Sequence, residues 1–419
     1  MADLLINTID DFDYQGKTVI LRVDINSPLD PVTKKIVNEN RLDKSIPTLR
    51  DLLDKGAKVA ILAHQGDTLD YHNLIPLTEH ACKLSDKLGR QVRYIDDVAG
   101  PAAQAEVKTL KPGEAILLGN VRYLTEEVST FEKFVKLSAS DMKDCYIIRQ
   151  LAPLADYYVN DAFAAAHRNA PSMVGFPEVL PTAGGRQLVA EVQALHGIME
   201  NPARPSVFVL GGLKISDAFG MMRQVLENGS ADRILTGGIT GIVMQMAQGI
   251  SFGNRQAQFL RDRALDAFIE PARDFVDKFG DRFVNPVDFA YEQNGSRREC
   301  SIPELPIENA LFLDIGSQTI SRYESVIQTA GTIFVNGPMG AYEKPLFAEG
   351  TRAVWNAIAN SPGYSVVGGG DSVNAAASLV DDADNHFDYI CTAGGALVRF
   401  LSGVELPLIQ ALKQAYRKV

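Results

Sequence analysis

A chain of 419 residues is about twice what one hydrophobic core organises, so it divides into two or more domains and is not a small binding module. Apolar residues make up 46% and charged residues 22%, a globular composition that excludes intrinsic disorder. The 41 Lys+Arg against 52 Asp+Glu give a net charge of -11 without any long basic run, which argues against nucleic acid or an anionic membrane as partner; an anionic ligand must be held by a local cluster.

The segment Met1 to Asp13 carries Asp3, Asp10 and Asp11 and lacks the basic and apolar regions of a signal peptide. No run of about 18 apolar residues occurs. Cys82, Cys145, Cys300 and Cys391 lie far apart, with no CxxC pair. The expectation is a soluble protein of the reducing cytoplasm.

In chain order, Thr18 to Val23 reads as a strand, Arg41 to Lys55 as a helix, Ala57 to Ala63 as a strand, Leu77 to Leu88 as a helix and Gln91 to Tyr94 as a strand. This alternation predicts βαβ units and a parallel sheet. Thr125 to Gln150 reads as a mostly polar, helical insertion without a legible role. Next, Pro181-Thr182-Ala183-Gly184-Gly185, a helical pattern from Arg186 to Met199 and Asn201-Pro202-Ala203-Arg204-Pro205 mark a helix joining two domains. A second parallel sheet is predicted from Ser206 to Leu210, Arg233 to Thr236, Ala310 to Leu313, Thr332 to Val335 and Tyr364 to Val367. The fold class is therefore α/β, with two doubly wound, Rossmann-like parallel-sheet domains joined by a helical hinge. Expected boundaries are 1–184, 185–204 for the interdomain helix and 205–402, with 403–419 returning to the N-terminal domain.

Ligands of such sheets bind at the carboxyl ends of the strands. Five glycine-containing segments of the second half follow apolar runs: Gly211-Gly212-Leu213-Lys214, Thr236-Gly237-Gly238, Asn336-Gly337-Pro338-Met339-Gly340, Gly368-Gly369-Gly370-Asp371-Ser372 and Ala393-Gly394-Gly395-Ala396. Glycine lets backbone N–H groups approach a phosphate, and a helix N-terminus adds partial positive charge. A single such turn is ordinarily a tight βα connection. Neither Walker A nor GxGxxG is present, which counts against a P-loop enzyme and a nicotinamide-dependent dehydrogenase.

The first half offers Arg22-Val23-Asp24-Ile25-Asn26, Arg41, His64, Asn120-Val121-Arg122-Tyr123 and Asn160-Asp161-Ala162-Phe163 leading to His167-Arg168. Arginine forks match carboxylate and phosphate oxygens, so these strand-end arginines point to a small anion site. Alternatively, each arginine pairs with a surface acid, the histidines are structural, and Asp161 caps a helix over Ala162 to Ala166.

The segments Arg22-Val23-Asp24-Ile25-Asn26-Ser27-Pro28, Asn120-Val121-Arg122-Tyr123, Tyr158 to Phe163 with Ala166-His167-Arg168, Leu210 to Asp217, Val335 to Gly340 and Gly368 to Asp371 resemble phosphoglycerate kinases. They stand in that family's order over nearly the whole chain, and Thr125 to Tyr158 resembles archaeal-type members. The resemblance implies a monomeric, hinge-bending, glycolytic kinase that moves a phosphoryl group between 1,3-bisphosphoglycerate and ADP with Mg²⁺, giving 3-phosphoglycerate and ATP. It implies that Asp24, Asn26, Arg41, His64, Arg122 and Arg168 hold the glycerate acid. It assigns Gly212, Lys214, Gly237, Asn336, Glu343, Gly370, Asp371 and Ser372 to the nucleotide, with Glu343 at the ribose and Asp371 on Mg²⁺. Phosphoryl transfer rests on positioning and charge neutralisation, which Arg41 and Lys214 can supply as catalytic residues.

Two positions depart from the family pattern. Asp67 follows His64-Gln65-Gly66 where an arginine that contacts the substrate phosphate is usual, and Ala218 stands where a second lysine is usual. Asp67 is expected to point to solvent in a loop, Thr68 to Asn73, shifted by an insertion or deletion, and neighbouring residues are expected to compensate for Ala218. Two alternatives remain: a kinase of another small carboxylate, which Asp67 permits, and a weakened nucleotide-binding paralogue, which Ala218 permits.

Overall fold

The computed structural model describes residues 5–67 and 69–416. Thr68 of the expected loop and the last three residues of the expected terminal segment lie outside that range. The chain forms two compact units, one of residues 1–193 and 405–419, the other of residues 194–404.

Six parallel strands build the sheet of the first unit: β1 (Thr18–Arg22), β2 (Lys58–Leu62), β3 (Val92–Tyr94), β4 (Ala115–Leu117), β5 (Tyr157–Asn160) and β6 (Thr182–Gly184). They lie side by side as β3-β4-β2-β1-β5-β6. β1 is buried at every position, as a parallel strand covered on both faces must be, which is why Thr18 to Arg22 reads as a continuous apolar run up to its last residue. The helix Asn40–Asp54 places Leu42, Ile46, Leu49 and Leu53 at helical spacing and buries them against Val19, Leu21, Val59 and Ile61. Each such leucine is worth about 2–5 kcal/mol against alanine. The C-terminal helix Pro407–Gln414 also belongs to this unit, with the Leu408 N–H donating to the Ala166 carbonyl at 3.2 Å.

The second unit holds a six-stranded parallel sheet of β7 (Ser206–Leu210), β8 (Arg233–Thr236), β9 (Phe283–Val284), β13 (Thr332–Asn336), β14 (Tyr364–Gly368) and β15 (Tyr389–Ile390). Its order, β15-β14-β13-β7-β8-β9, reverses direction between β13 and β7. The core packs Val207, Val209, Ile333, Val335 and Val367 around Trp355 and Tyr323.

A third, antiparallel sheet joins β10 (Asp288–Gln293), β11 (Ser296–Ser301) and β12 (Phe312–Ile315) in the order β11-β10-β12. The strand expected at Ala310 to Leu313 is thus shifted and belongs here, not in the parallel sheet. The cause is a hairpin at Asn294-Gly295, whose residues have φ of 54° and 74°, as a type I′ turn requires. It presents an antiparallel edge to β12, and Phe252 packs edge-on against Phe289 and Phe312 with ring centroids 4.9 and 5.1 Å away. The 125–150 segment is helical in pieces: Thr125–Glu127, Ser129–Val135, Ala139–Met142 and Tyr146–Leu151. Among the described residues, no helix is long and apolar enough to cross a membrane.

Candidate active site

At the carboxyl ends of β1, β2, β4 and β5, the chain turns into loops that carry Asp24 and Asn26, His64, Arg122 and Arg168. Arg41, near the start of the helix Asn40–Asp54, pairs with Asp24. Asn26 accepts the Gly66 N–H at 3.1 Å, and Arg122 donates to the Gly66 carbonyl. Gly66 has φ +75°, and a Cβ there would lie 2.4 Å from the Asn73 backbone, so this turn requires glycine. His64 is buried and accepts at Nδ1 from Arg22 Nη2, 2.9 Å away, which puts its own proton on Nε2. Burial first, then the charges of Arg22, Arg122, Arg41 and Arg168, hold its pKa well below the usual value, so the ring is neutral near pH 7.

Beneath this cluster lies a network that the sequence did not reveal. Arg22, 3% exposed, donates from Nε to Ser172 Oγ at 3.3 Å, and Glu127, 4% exposed, accepts from the Ser172 N–H and hydroxyl, both at 2.6 Å. Burial raises the Glu127 pKa, while Ser172 and the charge of Arg22 lower it in part. The network holds Arg22, and through it His64, in place. Glu132 takes Arg168 Nε at 2.7 Å. The 125–150 insertion therefore supplies carboxylates that hold the site's arginines.

Two expectations are corrected here. Asp67 does not point to solvent: its side chain is 19% exposed, Oδ2 lies 3.2 Å from Arg122 Nη1 and 3.9 Å from Arg168 Nη1, and Oδ1 accepts from Ser129 at 2.9 Å. The arginines and Ser129 attract the carboxylate more strongly than an exposed loop position would. Asp161 does not cap the segment after it, because the Asn160 side chain takes the Ala162 N–H at 2.9 Å. Instead, Asp161 accepts the Leu188 N–H at 2.9 Å, in the first turn of the helix Arg186–Glu200, and burial raises its pKa to about 7.

In the second unit, the turns after β7 and β13 interlock where the sheet order reverses. Gly211 N–H donates to the Asn336 carbonyl at 2.9 Å and Gly212 N–H to that of Pro338 at 2.8 Å. A Cβ on Gly337 would lie 2.2 Å from the Gly211 oxygen, so the contact needs glycine. A cavity of about 170 Å³ opens here, lined by Gly212, Lys214, Asn336, Gly370, Asp371 and Gly395 among others. It shares Gly212 and Asp371 with a larger, mostly apolar cavity of about 390 Å³ that includes Ile239, Phe259, Phe289, Pro338 and Glu343. A small polar pocket joined to a larger apolar one suits phosphates and a nucleobase.

Lys214 precedes the helix Ile215–Glu227, and its ammonium lies 3.2 Å from the Asp371 carboxylate, with side chains 70% and 58% exposed. A pair this open holds with about 0–1 kcal/mol and yields readily to a ligand. Lys214 is the one cation among the described residues lining the small cavity. Ala218, one turn on, is 1% exposed. Gly237 and Ser372 line neither cavity: Gly237 precedes the helix Gly238–Ala247, and buried Ser372 accepts the Gly337 N–H at 2.6 Å.

An arginine cluster and a glycine-built pocket whose one lining cation among the described residues is Lys214 suit a phosphotransferase. The family model described as phosphoglycerate kinase matches residues 9–404, and the chain belongs to that family. It is 41% identical over 411 residues to the phosphoglycerate kinase of Methanothermus fervidus, with 98% of each chain covered. With that of Thermococcus kodakarensis it shares 42% over 417 residues, again with 98% of each covered. The phosphoglycerate kinase structure from Pyrococcus horikoshii OT3 superposes with a TM-score of 0.87 at 35% identity, covering 99% of this chain and 100% of that one. The one from Coxiella burnetii gives 0.83 at 30%, covering 98% and 100%.

Proposed function

We propose that this chain catalyses reversible phosphoryl transfer between 1,3-bisphosphoglycerate and ADP, yielding 3-phosphoglycerate and ATP. The observation that carries the reading is the set of Arg41, His64, Arg122 and Arg168 gathered at the strand ends of the first unit in a member of this family. Residues 1–184 with the C-terminal segment form the acid domain, residues 205–402 the nucleotide domain, and residues 185–204 the hinge between them.

In the direction of ATP use, a carboxylate oxygen of 3-phosphoglycerate attacks the γ-phosphorus in line, the bond to the ADP oxygen breaks, and no proton need be removed. Catalysis is then positioning and charge. Arg41, with Asp24 fixing its guanidinium, faces the acid; Asn26, neutral His64, Arg122 and Arg168 orient it. Lys214 leaves Asp371 for the equatorial oxygens of the moving phosphoryl group, while Glu343 takes the ribose. Gly212, Asn336 and Gly370 line the pocket that admits the phosphates, and Gly237 and Ser372 stand behind it, Ser372 holding the Gly337 N–H.

Asp371 contributes one open carboxylate at the wall shared by both cavities, a donor that fits an octahedral cation completed by water and nucleotide phosphates. Bound there, Mg²⁺ would neutralise charge on the phosphate oxygens. The enzyme acts as a cytoplasmic monomer that closes when both substrates are bound, excluding water during transfer.

A coupled assay with 3-phosphoglycerate and MgATP, following ADP release, tests the proposal; absence of turnover with this acid refutes it. A second reading, kinase of another small carboxylate, is favoured by the carboxylate of Asp67 among the arginines. Turnover of a different acid in preference to 3-phosphoglycerate would establish it.

A further inference from the structure

A guanidinium fork binds carboxylate and phosphate oxygens with the same geometry, so a carboxylate held between two arginines occupies the place of an anionic ligand. Asp67 is held in this way, by Arg122, Arg168 and the Ser129 hydroxyl. The other arginines of the cluster have their own acids: Arg41 pairs with Asp24, Arg168 with Glu132, and Arg22 lies within the influence of buried Glu127. For Arg122, Asp67 is the carboxylate that forms its ion pair.

Position also separates Asp67 from the buried acid Glu127. Glu127 is 4% exposed and fixed by two hydrogen bonds, whereas the Asp67 side chain is 19% exposed. The preceding turn is anchored without it, through the Gly66 N–H on Asn26 and the Gly66 carbonyl on Arg122. Rotation of the Asp67 side chain therefore takes the anion away from Arg122 and Arg168 while both Gly66 contacts, including that of Arg122, stay in place.

We propose that Asp67 is the resident counter-anion of Arg122 and Arg168, and that the phosphate of an incoming phosphorylated acid must displace it, so that Asp67 sets the affinity of the site for such acids. The inference rests on the first unit being the acid site. A phosphate brought beside an unmoved Asp67 would meet a like charge in a shielded pocket, and exchange of one anion for the other removes that repulsion. The usual arginine of the family adds a cation at this point; here, the same position holds an anion that competes for the cations already present.

The test compares wild type, Asp67→Asn and Ser129→Ala, titrated with inorganic phosphate and with 3-phosphoglycerate, alongside steady-state kinetics. Asp67→Asn should tighten both anions by about tenfold to a hundredfold and lower KM for 3-phosphoglycerate, while KM for MgATP moves less than about twofold. Ser129→Ala, which removes a neutral tether of Asp67 and keeps the charge, should act in the same direction by roughly two- to fivefold, and serves if the Asn variant folds poorly. Unchanged or weaker phosphate binding in both variants would overturn the inference and make Asp67 a support for the two arginines. Tighter phosphate binding in an enzyme that fails to turn over 3-phosphoglycerate would refute the substrate and uphold the counter-anion.

Discussion

The two candidate sites are preorganised by opposite means. In the first unit, charged side chains hold one another: Arg41 on Asp24, Arg168 on Glu132, Arg122 on Asp67, and Arg22 above Ser172 and Glu127. In the second, the backbone is the structure, since glycines let the turns after β7 and β13 interlock, and the single lysine rests in an exposed pair. A small polyanion with charges at both ends can be gripped by fixed cations. A nucleotide instead needs room for its base and N–H groups close to its phosphates.

The largest expected effect lies in the second unit. If Lys214 is the mobile cation of the small cavity, Lys214→Ala lowers kcat by about two orders of magnitude or more with a smaller change in substrate affinity. Retention of most turnover would mean that the backbone alone suffices. Gly337→Ala tests the backbone itself: its Cβ would meet the Gly211 oxygen at 2.2 Å at a φ of +88°. A loss of about 2–3 kcal/mol in denaturant unfolding is expected, with weakened nucleotide binding. An unperturbed variant would show that the two turns do not depend on their close approach.

The first unit should respond to the loss of charge. Glu127→Gln keeps the shape but removes the acid opposite Arg22, which should cost about 2 kcal/mol of stability and raise KM for the acid more than KM for the nucleotide. Equal rises would make Glu127 a general structural residue. The smallest effect concerns Asp161, whose folded pKa of about 7 lies above that of an unfolded aspartate. The folded state binds the proton more tightly, so burial of this acid costs nothing below about pH 4 and increasingly destabilises the fold as pH rises toward 7. Asp161→Asn should therefore gain about 1–2 kcal/mol relative to wild type near pH 5 and more as pH rises toward 7, read from urea unfolding. A pH-independent difference would show that Asp161 is not buried as a titrating acid.

The parallel sheets were legible because buried strands such as Thr18–Arg22 and Ser206–Leu210 are continuous apolar runs that stop at a charged residue or a glycine. The candidate acid residues were legible as strand-end arginines for the same reason. The antiparallel sheet is harder to read: Asn294-Gly295 signals its hairpin, but Ala310 to Leu313 taken alone fits either kind of sheet. The supporting acids could not be read from the sequence. Glu127 meets Ser172 across 45 residues, and Asp67 meets Ser129 across 62, distances over which no local periodicity carries information. An intact set of acid-site residues suggests a solvent-facing Asp67, whereas the charge of Asp67 draws it to the arginines of that set.

The terminal helix has a consequence for how the chain is made. Leu408 and Leu412, at 0% and 1% exposure, complete the wall of the first unit, and Asn7 donates from its side chain to the Ala415 carbonyl at 3.3 Å. These residues leave the ribosome only after every residue of the second unit has been synthesised. In vectorial synthesis, the unit that begins first is therefore sealed last, and its nascent form waits with an uncovered apolar seam while the later unit already has all its parts.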